Sequence, residues 1–405
     1  MRYIAHVPLA GGFALGNMNI IGKPPVAITS YSPFESNDYL LRRYLCKKEF
    51  HIPYYQLDKI TPEETDKLIE SIGHIDFVSS IPPCSGLSQA AQRKKGSRGS
   101  APPNDWMYES ATFILNRIKP TIYAFENAPG LYTGAGDDVR KRLIEIGEKA
   151  GYSITFYKTN TLRHGVPQFR PRTFAFFYKG PNAPILHSYN KQAPHIIDFL
   201  KDIPKKASLQ KEYMHNEWDI SKFEIYKFLK MKHGDDWRQA MYDFRTHLTT
   251  YDYLQRKDWL VEFLEWQKKL PKDEKSEIVT KNVEHIMKKA ALGMGARINY
   301  RVLGIDRDYV YAVIGEMMGK EVHPTEDRLM NIREFMHLMG LPHDYELEGQ
   351  KEYAKITQNI PVCACEDMTR EIVEIIKGNR QFSNKSVLMQ DNTKEMEIRK
   401  TKSLF

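Results

Sequence analysis

The chain has 405 residues, 41% hydrophobic and 27% charged, with a net charge of +8. This length and composition exclude a fibrous or wholly disordered chain and suit either two or three domains or one large α/β domain with an insertion. The positive charge suits a polyanionic partner without requiring one. Four cysteines (Cys46, Cys84, Cys363 and Cys365) are too few and too scattered for a disulfide scaffold, and free thiols suit a reducing cytoplasm. Cys363-x-Cys365 lacks the two-residue gap of most zinc ligand pairs, so no metal is expected. No run of about 18 apolar residues exists, so no membrane span is expected. The stretch "MRYIAHVPLAGG" is too short in apolar residues for a signal peptide.

In chain order, "RYIAHVPLAGGFALG" reads as a strand, a glycine turn and a helix, and "PPVAITSYS" (24–32) as a second strand. "TPEETDKLIESIG" opens with a capping-box pattern, a Thr followed three residues later by Glu. "HIDFVSS" (74–80) alternates apolar and polar residues like a buried strand, and Pro82 and Pro83 break it just before Cys84. "DWMYESATFILNRIK" (105–119) has helical apolar spacing, "PTIYAFENAPG" is a strand ending in a turn, and "DDVRKRLIEIGEKAG" is a helix closed by Gly151. "YSITFYKTN" and "PRTFAFFYKG" are aromatic and β-branched strands. Strand and helix alternate through residues 1–180. This predicts an α/β fold with a doubly wound, mostly parallel sheet and its site at the strand C-termini.

Residues 181 to about 320 are helix-rich, with four of the five tryptophans between 218 and 266. "SKFEIYKFLKMK", "DYLQRKDWLVEFLEWQKKL" and "SEIVTKNVEHIMKKAA" predict amphipathic helices. Gly-rich "LGMGARINYRVLGIDRDYVYAVIG" returns to strands. Residues 321–380 form a return segment to the first domain, and 381–405 a polar, loosely ordered tail.

Taken singly, Cys84 is a small packed residue, Glu126 a strand-end turn residue, and Gln168, Arg170 and Arg172 alternate positions on one strand face. Together and in this order they resemble the DNA cytosine-5 methyltransferase family. Its Pro-Cys after a strand is matched by Pro83-Cys84, its Glu-Asn-Val by Glu126-Asn127-Ala128, and its Gln-x-Arg-x-Arg by Gln168, Arg170 and Arg172 after "HGVPQ". The late "HPTEDRLMNIREFMHLMGLPHDYEL" is similar to a further family segment through Arg328, Arg333, Glu334, Gly340, Pro342, Asp344 and Tyr345. The match covers 74–180 and 322–372. It implies a class I methyltransferase-like Rossmann fold with a smaller inserted target-recognition domain at 181–320.

The resemblance implies a covalent mechanism. A Cys84 thiolate adds to carbon 6 of a flipped-out cytosine, making carbon 5 nucleophilic. Glu126 bonds the ring N3 and amino group, Arg172 grips the base carbonyl, and Arg170 sits by the adjacent phosphate or the thiolate and lowers its pKa. The polar, basic stretch 85–105 matches the family's mobile loop, with Ser88, Arg93, Lys94, Lys95 and Arg98 expected on DNA together with Gln168. Lys222, Lys227, Lys230, Arg238, Arg245 and Arg256 in the middle region are further phosphate candidates or solvated helix faces.

The cofactor side departs from the family. Of its Phe-x-Gly-x-Gly-Gly turn, only Gly11 and Gly12 match cleanly, with Phe13 following. Ser30 stands where a ribose-binding Glu is usual, with Tyr31 beside it, and Gln358 of "TQNIPV" stands where Asn is usual. Asp58, Pro82, Asn104 and Asn359 complete the expected S-adenosylmethionine contacts. Three accounts fit these departures: ordinary S-adenosylmethionine held by backbone groups, a modified form such as a carboxylated one, or no sulfonium transfer at all. Competing functions are a tRNA cytosine methyltransferase and a non-catalytic DNA-binding homologue. A monomer acting on double-stranded DNA in a bacterial or phage-infected cytoplasm is expected, as part of a restriction system or a phage.

Overall fold

The computed structural model describes residues 1–84, 87, 105–203, 224–238, 257–275, 284, 288, 301–302, 308–313 and 321–393. Its contacts divide the chain into two units, residues 1–194 with 336–405, and residues 195–335.

The first unit is built on an eight-stranded sheet. The strands are β1 (Tyr3–His6), β2 (Ala27–Ser30), β3 (Tyr54–Gln56), β4 (Phe77–Ser80), β5 (Ile122–Asn127), β6 (Tyr152–Asn160), β7 (Pro171–Lys179) and β8 (Val387–Asp391). Their spatial order is β3-β2-β1-β4-β5-β7-β6-β8. All neighbours run parallel except β7, which is antiparallel to both β5 and β6. The predicted doubly wound, mostly parallel sheet is therefore present.

The strands are apolar on both faces because helices cover both. On one face Ile4, Val78, Tyr123, Phe125 and Phe177 pack with α3 (Pro62–Ile72), α4 (Asp105–Phe113) and α5 (Asp137–Lys149). On the other, Tyr3, Phe77, Ile122, Ala124 and Phe176 pack with α1 (Gly12–Ile21) and α7 (Val362–Ile376). The remaining helices of this unit are α2 (Glu35–Lys47) and α6 (Gln350–Ile356). The capping box opens α3 as predicted. Thr61 Oγ1 accepts from Glu64 N, and Glu64 Oε2 accepts from Thr61 N.

The tail reading needs correction within 381–405. Residues 387–391 form β8, paired along its whole length with β6, and Leu186 N donates to the Gln390 side chain. Polar composition concealed this strand because it sits at a half-solvated sheet edge. Residues 394–405 lie outside the described residues.

In the second unit the helices Glu224–His233 and Lys257–Lys269 meet through Phe228, Phe263 and Trp266, with ring centroids 5.3–5.9 Å apart. Lys227 pairs with Glu274, and Lys230 and Arg238 both pair with Asp327. Lys222, Arg245 and Arg256 lie outside the described residues.

Strand order turns around at β1, whose neighbours β2 and β4 lead away in opposite directions. A ligand crevice forms outside the C-terminal ends of strands at such a point. The turn after β1 (residues 7–12), the end of β2 and the segment after β4 all meet there. His6 closes β1. Its Nδ1 is hydrogen-bonded to Thr29 Oγ1 at 2.9 Å and its Nε2 to Ser110 Oγ at 2.8 Å. Complete burial lowers its pKa to about 3.

Two predictions follow from this packing. A Cβ on Gly16 of α1 would lie 2.7 Å from Cys365 Cβ and 2.9 Å from the α7 backbone. Gly16→Ala should therefore cost about 1–3 kcal/mol in chemical unfolding, although Ala alone favours a helix by about 1 kcal/mol; a stabilised variant would refute this contact. His6 stays neutral in the folded chain but protonates near pH 6.5 when unfolded. Its contribution to stability is complete above about 6.5 and falls as pH drops from there toward 3. Urea titrations across that range should show the slope, and His6→Gln should flatten it.

Candidate active site

Cys84 lies four residues beyond the end of β4, on a segment pinned from β5. Asn127 Nδ2 donates to the carbonyls of both Pro82 and Pro83 at 3.2 Å. The two prolines contribute no N–H donors, so their carbonyls are what a neighbour can grip. Asn127 also turns the chain out of β5, its Oδ1 accepting from Ala128 N at 2.9 Å. The sequence displays Asn127 inside the matched motif but gives no sign that its amide reaches back to the prolines.

Glu126 is the penultimate residue of β5 and is 3% exposed. Its Oε1 pairs with Arg172 Nε at 2.7 Å, and Arg172 Nη1 donates to Pro171 O. Burial raises the Glu126 pKa, with Arg172 and Arg170 pulling against it. Cys84 is open to solvent on one side. Surrounding protein and the Glu126 carboxylate still raise its pKa, and Arg172 and Arg170 oppose that rise. The thiol, the carboxyl and both guanidinium groups are thus close enough to act on one another. Arg170 pulls the thiol pKa down as expected, but burial and Glu126 outweigh both cations and the net shift is upward.

Arg170 also has a task the sequence did not suggest. Only 1% exposed, it donates through Nη2 to Asn359 O at 2.6 Å and to Thr357 O. Those carbonyls offset the cost of burying its charge and tie the start of β7 to the 357–360 turn. Gln168, expected on nucleic acid, is fully buried with its amide against the Met339 thioether. Ser88, Arg93, Lys94, Lys95, Arg98 and Asn104 lie outside the described residues.

On the cofactor side, the turn after β1 has left-handed backbone at Val7, Leu9 and Gly11 (φ 44°, 53° and 99°). The two non-glycine positions cost about 1–2 kcal/mol each. Gly11 and Gly12 are there for close packing. A Cβ on Gly11 would lie 2.6 Å from Leu41 of α2, and one on Gly12 2.3 Å from Ile360 O. Phe13 is corrected to a core residue, meeting Phe174 edge-on at 5.8 Å. Gln358 is exposed and accepts from Asn37, whereas Asn359 is buried with Oδ1 toward Gly12 N at 3.4 Å. Asn359 Nδ2 is buried without a partner among the described residues. Tyr31 packs between His6 and Trp106, and Asp58 Oδ1 accepts from Ser32 N at 2.9 Å.

Ser30 does not stand alone. Its hydroxyl donates to Asp38 Oδ2, and Leu9 N donates to Asp38 Oδ1 at 2.8 Å. Burial raises the Asp38 pKa to about 7 against these stabilising bonds. No local motif marks Asp38, since both partners come from other elements. The late segment also serves this turn, through Tyr345 OH donating to Ala10 O at 2.8 Å. His164, in the "HGVPQ" stretch, is buried between Asp367 Oδ2 (2.9 Å) and Thr159 Oγ1 (2.8 Å), joining α7 to β6. In the second unit Arg328 and Glu334 pair at 2.7 Å, and Asn331 and Glu334 cap the helix Ile332–Leu338.

Comparison with known proteins agrees with this arrangement. The family described as C-5 cytosine-specific DNA methylase matches residues 10–376. The type II methyltransferase M.Bpa9945I of Bacillus paralicheniformis is 23% identical over 350 residues, 75% of this chain and 72% of that relative. M.XorII of Xanthomonas oryzae pv. oryzae, also a type II methyltransferase, is 22% identical over 330 residues, 79% of this chain and 73% of its own. The solved structure of the Entamoeba histolytica methyltransferase EhMeth superposes with a TM-score of 0.54 at 12% identity, over 93% of this chain and 98% of that one, a likeness of fold. With its matched motifs gathered at the crevice ends of β4, β5 and β7, the chain belongs to the C-5 cytosine-specific DNA methylase family.

Proposed function

We propose that this chain methylates carbon 5 of cytosine in double-stranded DNA through a covalent adduct on Cys84, with S-adenosylmethionine as donor. The observation that carries the reading is the buried Glu126–Arg172 ion pair at 2.7 Å, set one residue before the Asn127 amide that pins the Pro82-Pro83 segment leading to Cys84. The target base has to leave the duplex to reach it, at an unstacking cost of a few kcal/mol.

The Cys84 sulfur forms a bond to carbon 6 as the 5,6 double bond opens. A proton held by Glu126 passes to, or is shared with, N3, so the displaced electron pair is not left as a bare anion. Carbon 5 is then nucleophilic. The raised pKa of Glu126 favours its carrying that proton. Protonation there also removes the negative charge that disfavours the Cys84 thiolate. Arg172, held on Glu126, presents a cation for the base carbonyl. After transfer, carbon 5 loses its proton to solvent water, its electron pair re-forms the 5,6 double bond, and the Cys84 sulfur departs as the thiolate.

S-adenosylmethionine supplies an electrophilic methyl group on a sulfonium. The residues fit it: a left-handed turn at 7–12, the Ser30 and Tyr31 end of β2, and the Asn359 Nδ2, buried without a partner among the described residues. The target-recognition region expected at 181–320 is proposed to lie mainly in the unit 195–335. The named relatives are type II methyltransferases, which supports a role as the modification half of a restriction system.

Incubation with DNA containing 5-fluorocytosine and S-adenosylmethionine should give a stable covalent complex, lost in Cys84→Ser. A Cys84→Ser protein that still traps would sink the mechanism, and trapping on tRNA alone would sink the DNA substrate. Glu126→Gln should slow adduct formation by about 100-fold or more. Because the Cys84 pKa is raised, the adduct rate should still be climbing at pH 8.5; a rate already flat at pH 7 contradicts the site electrostatics. Nucleosides from DNA of a host expressing the chain should gain the mass of one methyl on cytosine.

A further inference from the structure

The turn after β1 is held in a conformation its own residues do not favour. Leu9 has φ 53° and Val7 φ 44°, a region where bulky and β-branched residues are outliers. Such backbone persists only when its surroundings over-determine it. Much of that determination comes from α2. Asp38 Oδ1 accepts the Leu9 N–H at 2.8 Å, and Leu41, three residues on along the same helix face, occupies the space beside Gly11. Asp38 is itself fixed, since its Oδ2 accepts the Ser30 hydroxyl from the end of β2. The carboxyl is completely buried, an expensive placement for an ionisable group, and one that its bonds to the Leu9 N–H and the Ser30 hydroxyl offset.

We propose that Asp38 is a positioning residue for the methyl donor: anchored by Ser30, its carboxyl group holds Leu9 in the left-handed conformation and so preforms the 7–12 turn against which the donor binds. This rests on the donor reading given above. In doubly wound nucleotide-binding folds an acidic residue near the end of the second strand usually bonds the ribose directly. Here β2 ends in Ser30, and the carboxyl arrives from α2 turned onto backbone. Its action is therefore on the shape of the turn, which a glycine at position 9 would adopt without help.

That difference gives the test. Binding of S-adenosylhomocysteine is measured by calorimetry for the parent chain, Asp38→Asn, Leu9→Gly and the double variant. Asp38→Asn removes the anionic acceptor of the Leu9 N–H and puts an NH2, which cannot accept the Ser30 hydroxyl, in place of one oxygen; it should weaken binding roughly tenfold in the Leu9 background. The same substitution should cost less than about threefold in the Leu9→Gly background. An equal cost in both backgrounds, as direct ribose contact would give, overturns the proposal, and so does no cost in either. Amide hydrogen exchange of the ligand-free protein supplies a second readout. Residues 7–12 should exchange faster in Asp38→Asn while β5 amides keep their rates; unchanged exchange at the turn, or loss of protection throughout, counts against a positioning role. A parent chain that binds no S-adenosylhomocysteine would refute the donor reading, and the exchange result would still decide whether Asp38 holds the turn.

Discussion

Glu126 is a carboxyl group almost without water beside a thiol that has to ionise, and the rest of the site is arranged around that conflict. A buried carboxylate is tolerable only when paired, and Arg172 pairs with it at 2.7 Å. The same guanidinium, with Arg170 behind it, is the main local force drawing Cys84 toward its thiolate. Arg170 in turn can stay charged in a buried place because the carbonyls of Thr357 and Asn359 receive its N–H groups. Removing Glu126 or Arg172 would leave the other with an unbalanced charge in a medium of low polarity. The cluster is consequently a single electrostatic unit, and its parts are expected to be strongly non-additive.

Topology explains why such a unit can be assembled from residues 84, 126 and 170–172. Cys84 and Glu126 lie at the C-terminal ends of parallel neighbours β4 and β5, so both reach the same edge of the sheet. Arg172 belongs to the first residues of its strand and would lie at the opposite edge if β7 were parallel. Because β7 runs antiparallel, its beginning is level with the end of β5, Thr173 opposite Asn127 and Phe174 opposite Glu126. One reversed strand thus turns a motif that precedes a strand into a partner for motifs that end or follow strands. It also places the 357–360 turn within reach of Arg170, so the catalytic and cofactor sides share a strut.

The alternation of strands and helices over residues 1–180 was legible because short β-branched and aromatic runs are broken by turn residues and alternate with segments of helical apolar spacing. The order of motifs was legible because Pro83-Cys84, Glu126-Asn127 and Gln168 through Arg172 are short and contiguous. What escaped the sequence was of a different kind. Val387–Asp391 looked like a tail because an edge strand needs little apolar burial. Phe13 looked like a cofactor contact because adjacency to glycines does not reveal that the ring turns inward to Phe174. The burial of Gln168 and Arg170 was not legible because alternation along a strand identifies a common face without saying what covers it. Asp38 gave no sign at all, since its meaning depends on Leu9 and Ser30, each on a separate element.

The cofactor side shows how a motif can look eroded while its geometry persists. A glycine in a turn contributes permission for left-handed backbone and room for a close neighbour. Room cannot be supplied by anything else, and at Gly11 and Gly12 the neighbouring atoms stand 2.6 Å and 2.3 Å from where a Cβ would be. Permission can be supplied from outside, by contacts that make the strained conformation the best one available. At Leu9 those contacts come from Asp38, with Tyr345 bonding Ala10 one residue further along. The glycines that match the family are therefore the ones whose space is occupied, and the mismatch falls where a hydrogen bond from α2 does the work of a missing degree of freedom.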